Sequence, residues 1–281
     1  MKISTQPYKG ARDFYPEDKA FQKWMFDKWR KVAELYGYVE YDAPILEPTD
    51  LYLIKGSQEI IENQTYTFKD RGDRSVTIRT EMTPSVSRMV AGRRQELAYP
   101  ARWYSIPNLW RYERMQKGRL REFWQLNVDI FGIASESAEL EAIQIIDDIF
   151  QAFKAKRSAY EIKINSRILV NEMLNSFGLS QEDSTKVIRL IDRLNKMTSE
   201  EFGKELNDIT KSSDVSSKVV SILNSKKLED LPENLLKIES VKSMQRILDE
   251  CSAHGIRNAV FDISLMRGFD YYTDIVFVMS F

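Results

Sequence analysis

PNLWRYERMQKGRLREFWQLNVDIFG, residues 107–132, is the stretch on which the reading of this chain turns. Residues 109–113 alternate, with Leu109, Arg111 and Glu113 on one side of a strand and Trp110 and Tyr112 on the other. Residues 123–131 alternate over a longer run, setting Phe123, Gln125, Asn127, Asp129 and Phe131 against Trp124, Leu126, Val128 and Ile130. This predicts an antiparallel hairpin with an apolar back on a core and a polar front open to water or a ligand. Between the strands lies a loop, 114–120, with Gly118 near its tip. Residues 111–121 hold five cations and one carboxylate, Glu113. Such a positive field beside a polar strand suits phosphates. A basic hairpin is ordinarily just solvated. Here Gln125, Asn127 and Asp129 replace the Lys, Glu and Thr of a solvated strand, which favours a binding face.

Upstream, Glu17 and Asp18 open a helix at the end where its dipole favours acids. Phe21, Trp24, Met25, Trp29, Val32 and Tyr36 follow at helical spacing, and Gly37 ends the run. A short strand, 38–43, stops at Pro44; another, 65–69, leads through a turn at 70–73 into a strand at 75–81. Thr77, Arg79 and Glu81 share one face of that strand, and Pro84 can open the next helix, which runs through 85–91. Downstream, Ser137 is read as the cap of a long helix burying Leu140, Ile143, Ile146, Phe150 and Phe153. After a strand at 160–165 come four or five helical segments with a capping box at Thr198 and Glu201. Strands return at 259–265 and 275–279, flanking the stretch RGFDYY, 267–272. The fold class read from this order is α+β, an antiparallel β-sheet flanked by helices with a helical insertion. Its divisions are 1–169, 170–255 and 256–281.

A length of 281 residues allows one large or two modest domains. Hydrophobic content of 43%, charged content of 30% and a net charge of -1 describe a globular chain whose nucleic-acid contacts must come from local patches. One cysteine, Cys251, and one histidine, His254, exclude an internal disulfide and a His/Cys metal centre, and both are read as structural. No metal site is expected. Neither GxxxxGK[ST] nor GxGxxG occurs, so bound phosphates would be held by arginine side chains. The lack of a long apolar run leads to the expectation of a cytoplasmic protein with no membrane segment.

RTEMTP (79–84), RYERMQKGR (111–119), REFWQLNVD (121–129) and RGFDYY (267–272), in this order and at these distances, resemble the histidyl-tRNA synthetases. GARDFYP (10–16) is similar to the N-terminal signature of that family. The middle stretches correspond to motif 2 of the class II synthetases, and RGFDYY to the motif particular to the histidine enzymes. The resemblance covers nearly the whole chain and is weakest in the helical insertion.

The resemblance implies a ligase that makes histidyl-adenylate from histidine and ATP, with Mg2+ accompanying ATP, and then esterifies the 3′ end of tRNA(His). It assigns Arg111 to the α-phosphate and Arg267 to the opposite side of that phosphate, where fixed charge stabilises the transition state. It places Arg111, Glu113 and Arg119 on the nucleotide. The histidine pocket it implies is formed by Glu81, Met82, Thr83, Arg111, Gln125, Asp129, Arg267, Tyr271 and Tyr272. Arg114 and Gln116 would approach the acceptor end of the tRNA, and the chain would act as a homodimer.

Three departures stand out. Met115 replaces a proline usual in the loop, and Trp124 replaces a His or Tyr on the apolar side. The third is that the family continues past the last strand with motif 3 and an anticodon-binding domain, so a C-terminally shortened form is expected. Such a form would bind histidine without necessarily completing turnover. Two other classes compete: a non-catalytic paralogue like the synthetase-like subunit of ATP phosphoribosyltransferase, and a structural dimer module. The basic loop, Arg111 and the intact 267–272 stretch favour the enzyme over the first, and the polar face of 123–131 favours it over the second.

Overall fold

A computed structural model describes residues 3–53, 64–266 and 273–281. The chain folds as two compact units, Met1–Ile133 and Ala134–Phe281. Mixed helix and sheet, with mostly antiparallel pairing, is the α+β class read from the sequence.

In the first unit, helix α1 (Pro16–Leu35) starts on a proline, whose missing N–H costs nothing in the first turn. Strand β1 (Val39–Glu40) pairs in parallel with β5 (Ala101–Ser105), whose other edge takes β8 (Asn127–Phe131) antiparallel. A second sheet orders β2 (Leu46–Pro48), β4 (Ser75–Ile78) and β3 (Tyr66–Lys69). Helix α2 (Asp50–Leu53) follows β2, and α3 (Thr83–Arg93) follows β4. Strands β6 (Asn108–Trp110) and β7 (Glu122–Trp124) form an antiparallel pair.

The hairpin differs from its sequence reading in one important way. The single strand expected over 123–131 is two strands with different partners. Glu122–Trp124 pairs with Asn108–Trp110, whereas Asn127–Phe131 pairs with Ala101–Ser105. Gln125 and Leu126 lie where the chain changes partner. Alternation carries no information about the neighbour, so the break is silent in the pattern. Every residue from 127 to 131 is half-buried, so the division into an apolar back and an open front is less sharp than the pattern implied.

Helix α1 also departs from expectation. It buries Gln22, Phe26, Val32 and Ala33, while Phe21 and Trp24 remain 64% and 48% exposed. The helix is apolar on more than one face, so spacing alone does not choose the inward stripe.

The second unit builds a sheet from β9 (Glu161–Ser166) at its centre, β10 (Ala259–Phe261) parallel on one side and β11 (Ile275–Ser280) antiparallel on the other. Helix α4 (Ser137–Ala152) precedes it; α5 (Arg167–Ser176), α6 (Gln181–Asp192), α7 (Ser199–Thr210), α8 (Ser213–Leu223), α9 (Glu233–Leu236) and α10 (Glu239–Ala253) lie between β9 and β10. Ile162 and Ile164 of β9 join Leu174, Leu206, Met244 and Cys251 in one apolar core. The capping box of α7 forms as read: Thr198 Oγ1 accepts from the Glu201 N–H, and the Thr198 N–H donates to Glu201.

Ser137 does not cap α4. It is the first helical residue, and the cap position is Glu136, whose carboxylate accepts two hydrogen bonds from Arg246, at 3.0 and 2.6 Å, rather than from the helix N–H groups. The helix fully buries Ile143, Ile145 and Asp147, with Leu140 and Phe150 partly covered. Asp147 goes inward because it is answered there: Arg157 donates to it at 2.6 Å and the Tyr160 hydroxyl at 2.6 Å.

Cys251 is fully buried, and burial, followed by the nearby Asp147 and Glu250 charges, pushes its thiol up to about 11. We predict that at pH 8 the folded chain reacts with a thiol reagent at least about 100-fold more slowly than the unfolded chain, because the thiolate is the nucleophile. Equal rates would show that Cys251 is accessible.

Candidate active site

Strand β4 carries the chain to Arg79, which is only 3% exposed. Its guanidinium donates to Asp42 Oδ1 at 2.7 Å, to the Ala43 carbonyl at 2.6 Å and to the Asn108 carbonyl at 2.9 Å. Its own N–H donates to the Ile45 carbonyl, and its carbonyl accepts from the Trp110 N–H at 3.0 Å. One residue therefore ties 42–45 to 108–110. A buried guanidinium is tolerated only with such partners.

This places the next element of the site. Thr80, beside Arg79, presents its carbonyl to Arg111 Nε at 3.1 Å. Arg111 also lies 5.3 Å over the Phe123 ring, and its backbone N–H donates to the Arg121 carbonyl at 2.8 Å. Its charge is thereby held next to the turn where Glu81 and Thr83, both half-buried, enter α3. Met82 is fully buried, and its carbonyl accepts from the Val86 N–H. Thr83 is the first residue of α3, one position before Pro84.

Beyond Arg111 the loop closes on a tight turn. Gln116 and Arg119 exchange backbone hydrogen bonds around Lys117 and Gly118, and Gly118 takes φ +79°, a region open to glycine. Glu113 and Arg119, both assigned to the nucleotide by resemblance, form an ion pair with each other. Arg114 and Gln116 are exposed.

The loop is anchored from the N-terminal leader. The Gly10 carbonyl accepts from the N–H groups of Arg121 and Glu122, at 2.8 and 3.1 Å. Gly10 has φ +91°, and a Cβ there would stand 2.6 Å from Arg121 Cγ. Arg121 in turn lies 4.0 Å over the Tyr112 ring. Phe14 meets Trp124 edge-on at 5.1 Å, so the departure at Trp124 serves packing.

Gln125 is exposed and donates to Asn127 Oδ1 at 3.0 Å. Asp129, opposite Trp103 in the sheet, accepts from the Tyr41 hydroxyl at 2.9 Å. Burial, and then the Asp129 charge, hold the Tyr41 phenol far above its ordinary pKa, so it remains a donor. The structure thus gathers Arg111 with 81–83 through Thr80, and sets Gln125 in the strand break and Asp129 in the strand that follows it. Arg267, Tyr271 and Tyr272 lie outside the described residues.

Sequence reading left Arg79, Gly10, Tyr41 and Phe123 without a role. Arg79 had a signal, a cation sharing one strand face with Thr77 and Glu81, opposite Val76 and Ile78. The positive φ of Gly10 had none.

The family model described as histidyl-tRNA synthetase matches residues 10–279. The chain belongs to this family. It is 42% identical over 282 residues to the histidine--tRNA ligase of Leptospira biflexa, covering 99% of this chain and 64% of that protein. The Thermoplasma volcanium histidine--tRNA ligase is 38% identical over 288 residues, with 98% and 64% covered. Among solved structures, histidyl-tRNA synthetase from Nostoc sp. PCC 7120 matches with a TM-score of 0.85 at 21% identity, over 99% of this chain and 65% of that one. A Bacillus halodurans chain described as an ATP phosphoribosyltransferase regulatory subunit/histidyl-tRNA synthetase matches at 0.85 and 21%, over 99% and 73%. The structural matches establish the fold. This member of the histidyl-tRNA synthetase family spans about 64% of the length of those two ligases.

Gly10→Ala is predicted to destabilise the chain by about 2 kcal/mol, since a side chain in the left-handed region costs roughly 1–2 kcal/mol before any clash. Urea unfolding monitored by tryptophan fluorescence checks this; an unchanged midpoint would remove Gly10 from the anchoring of the loop.

Proposed function

We propose that this chain is the catalytic region of a histidine--tRNA ligase, which activates histidine with ATP and transfers it to tRNA(His). The observation that carries this reading is Arg111, held by the Thr80 carbonyl and the Phe123 ring beside Glu81 and Thr83. A fixed, permanently charged group next to a carboxylate and a hydroxyl is equipped to hold an α-phosphate beside an amino acid. Glu81 is assigned to the histidine ammonium with Thr83 and Gln125, and Asp129 to the same pocket. Met82 contributes through the backbone it holds in place. Arg111, Glu113 and Arg119 are assigned to ATP, which brings Mg2+ as part of the substrate. ATP phosphates would compete with Glu113 for Arg119, so nucleotide binding and loop shape are linked. Arg267, Tyr271 and Tyr272 are assigned to catalysis and the imidazole on the family motif alone.

The exposed Arg114 and Gln116 suit the tRNA acceptor end. The exposed Phe21 and Trp24 of α1 suit a homodimer contact. The division into core segments 1–169 and 256–281 around an insertion at 170–255 is proposed on the family pattern. No described helix is long and apolar enough to cross a membrane. A cytoplasmic location is proposed from the tRNA substrate.

Calorimetry with millimolar histidine should give a saturable heat for this chain; none would sink the pocket assignment. In histidine-dependent ATP–pyrophosphate exchange, Asp129→Ala should raise the histidine KM more than it lowers kcat, and the reverse would move Asp129 into the chemistry. Arg267→Ala should cost about 2.7–4 kcal/mol in the same assay, the range for losing one charge-stabilising donor; an unchanged rate would remove it from catalysis.

A further inference from the structure

Tyr41, which no motif in the sequence marks, reaches across a whole strand to the carboxylate of Asp129. Register sets up the reach. Strand β1 pairs Val39 with Trp103 of β5, and Trp103 is paired in turn with Asp129 of β8. Tyr41 lies two residues beyond Val39, and its N–H donates to the Tyr104 carbonyl at 2.8 Å, so it continues the β1 pairing. Its side chain therefore shares the face that carries Trp103 and Asp129. Glu40 and Tyr104 point the other way, where the Tyr104 hydroxyl donates to Glu34 at 3.0 Å and Glu40 at 3.3 Å. On the first face the Tyr41 and Trp103 rings lie 5.8 Å apart, and the Tyr41 hydroxyl donates to Asp129 Oδ2 at 2.9 Å.

The backbone that carries Tyr41 is itself fixed. Asp42 Oδ1 and the Ala43 carbonyl accept from Arg79, at 2.7 and 2.6 Å. Arg79 leads into Thr80, whose carbonyl holds Arg111. One short segment, 41–43, is thus bonded toward Arg111 through Arg79 and toward Asp129 through Tyr41. Strand pairing places the backbone of Asp129 but not the plane of its carboxylate, which turns about a broad terminal torsion. A hydrogen bond from a hydroxyl to the carboxylate does set that plane, and such charge-assisted bonds are about twice as strong as neutral ones.

We propose that Tyr41 is a positioning residue for the histidine pocket, its hydroxyl fixing the direction in which Asp129 presents its carboxylate to the amino acid. This rests on the assignment of Asp129 to that pocket. Tyrosine suits the place because it is long enough to cross β5 beside Trp103 and ends in a donor. Phenylalanine would fill the same space and leave the carboxylate to be ordered when the ligand arrives, which costs affinity.

The test measures histidine affinity by calorimetry for the parent chain, Tyr41→Phe, Asp129→Ala and the double variant. Tyr41→Phe keeps the ring beside Trp103 and removes only the hydroxyl. It should weaken histidine about tenfold, the effect of losing one hydrogen bond to a charged group. In the Asp129→Ala background the same substitution should change affinity by less than about twofold, because the group it orients is gone. A residue that merely supports the fold would cost affinity equally in both backgrounds. Unchanged affinity in Tyr41→Phe beside a weakened Asp129→Ala, or equal losses in the two backgrounds, would overturn the role of Tyr41 and leave the pocket assignment standing. A Tyr41→Phe chain that no longer folds, seen by circular dichroism, would overturn it too, since the hydroxyl would then serve the fold. A parent that binds no histidine, or an Asp129→Ala chain that binds it as the parent does, would sink the pocket assignment and this proposal with it.

Discussion

The first unit depends on a charge held out of water. Arg79 is buried against Asp42, the Ala43 carbonyl and the Asn108 carbonyl, while its backbone bridges Ile45 and Trp110. Removing the guanidinium would leave two carbonyls without a donor, which is costlier than the loss of a typical hydrogen bond. Everything assigned to the phosphate follows from this knot. Thr80 is where it is because Arg79 is fixed, and Arg111 is where it is because Thr80 offers a carbonyl. A second buried charge works nearby in the same manner: Glu47, on β2, accepts from Ser85 at 2.9 Å and Arg88 at 2.7 Å, fastening α3 to the sheet that precedes it.

Much of the fold was legible because its signals are local. The start of α1, the capping box at Thr198 and Glu201, the turn between β3 and β4 and the strands 161–166 and 275–280 each follow from neighbouring residues. What was not legible depends on partners distant in sequence. Glu136 abandons the cap of α4 for Arg246, 110 residues away. Asp147 faces inward on an apolar helix because Arg157 and Tyr160 meet it. The site divides similarly. Arg111, Gln125 and Asp129 were marked by type and spacing, whereas their supports, Arg79, Tyr41, Phe123 and Gly10, act through contacts that no spacing reveals.

The two units use polar burial for the same end. In the first, Arg79 gathers three chain segments; in the second, Asn165 ties the end of β9 to the segment 263–265 through its side-chain amide. Both sit at or near the end of a strand. Apolar packing alone would tolerate small slips at such places, since it has no direction. Hydrogen bonds to buried partners do not.

The change of partner between Trp124 and Asn127 has a consequence for how the chain tolerates change. Trp124 is registered against Asn108, and Asn127 against Ser105. Each register is set by its own sheet, so Gln125 and Leu126 act as a spacer of fixed length between two independent rulers. Lengthening or shortening it by one residue would leave one ruler intact and turn every side chain on the other to the opposite face, carrying Asp129 away from Tyr41. Substitution at these two positions is a question of chemistry; insertion or deletion is a question of counting. A stretch that looks in the sequence like the middle of an ordinary strand is thus a place where the length of this chain is not free to vary.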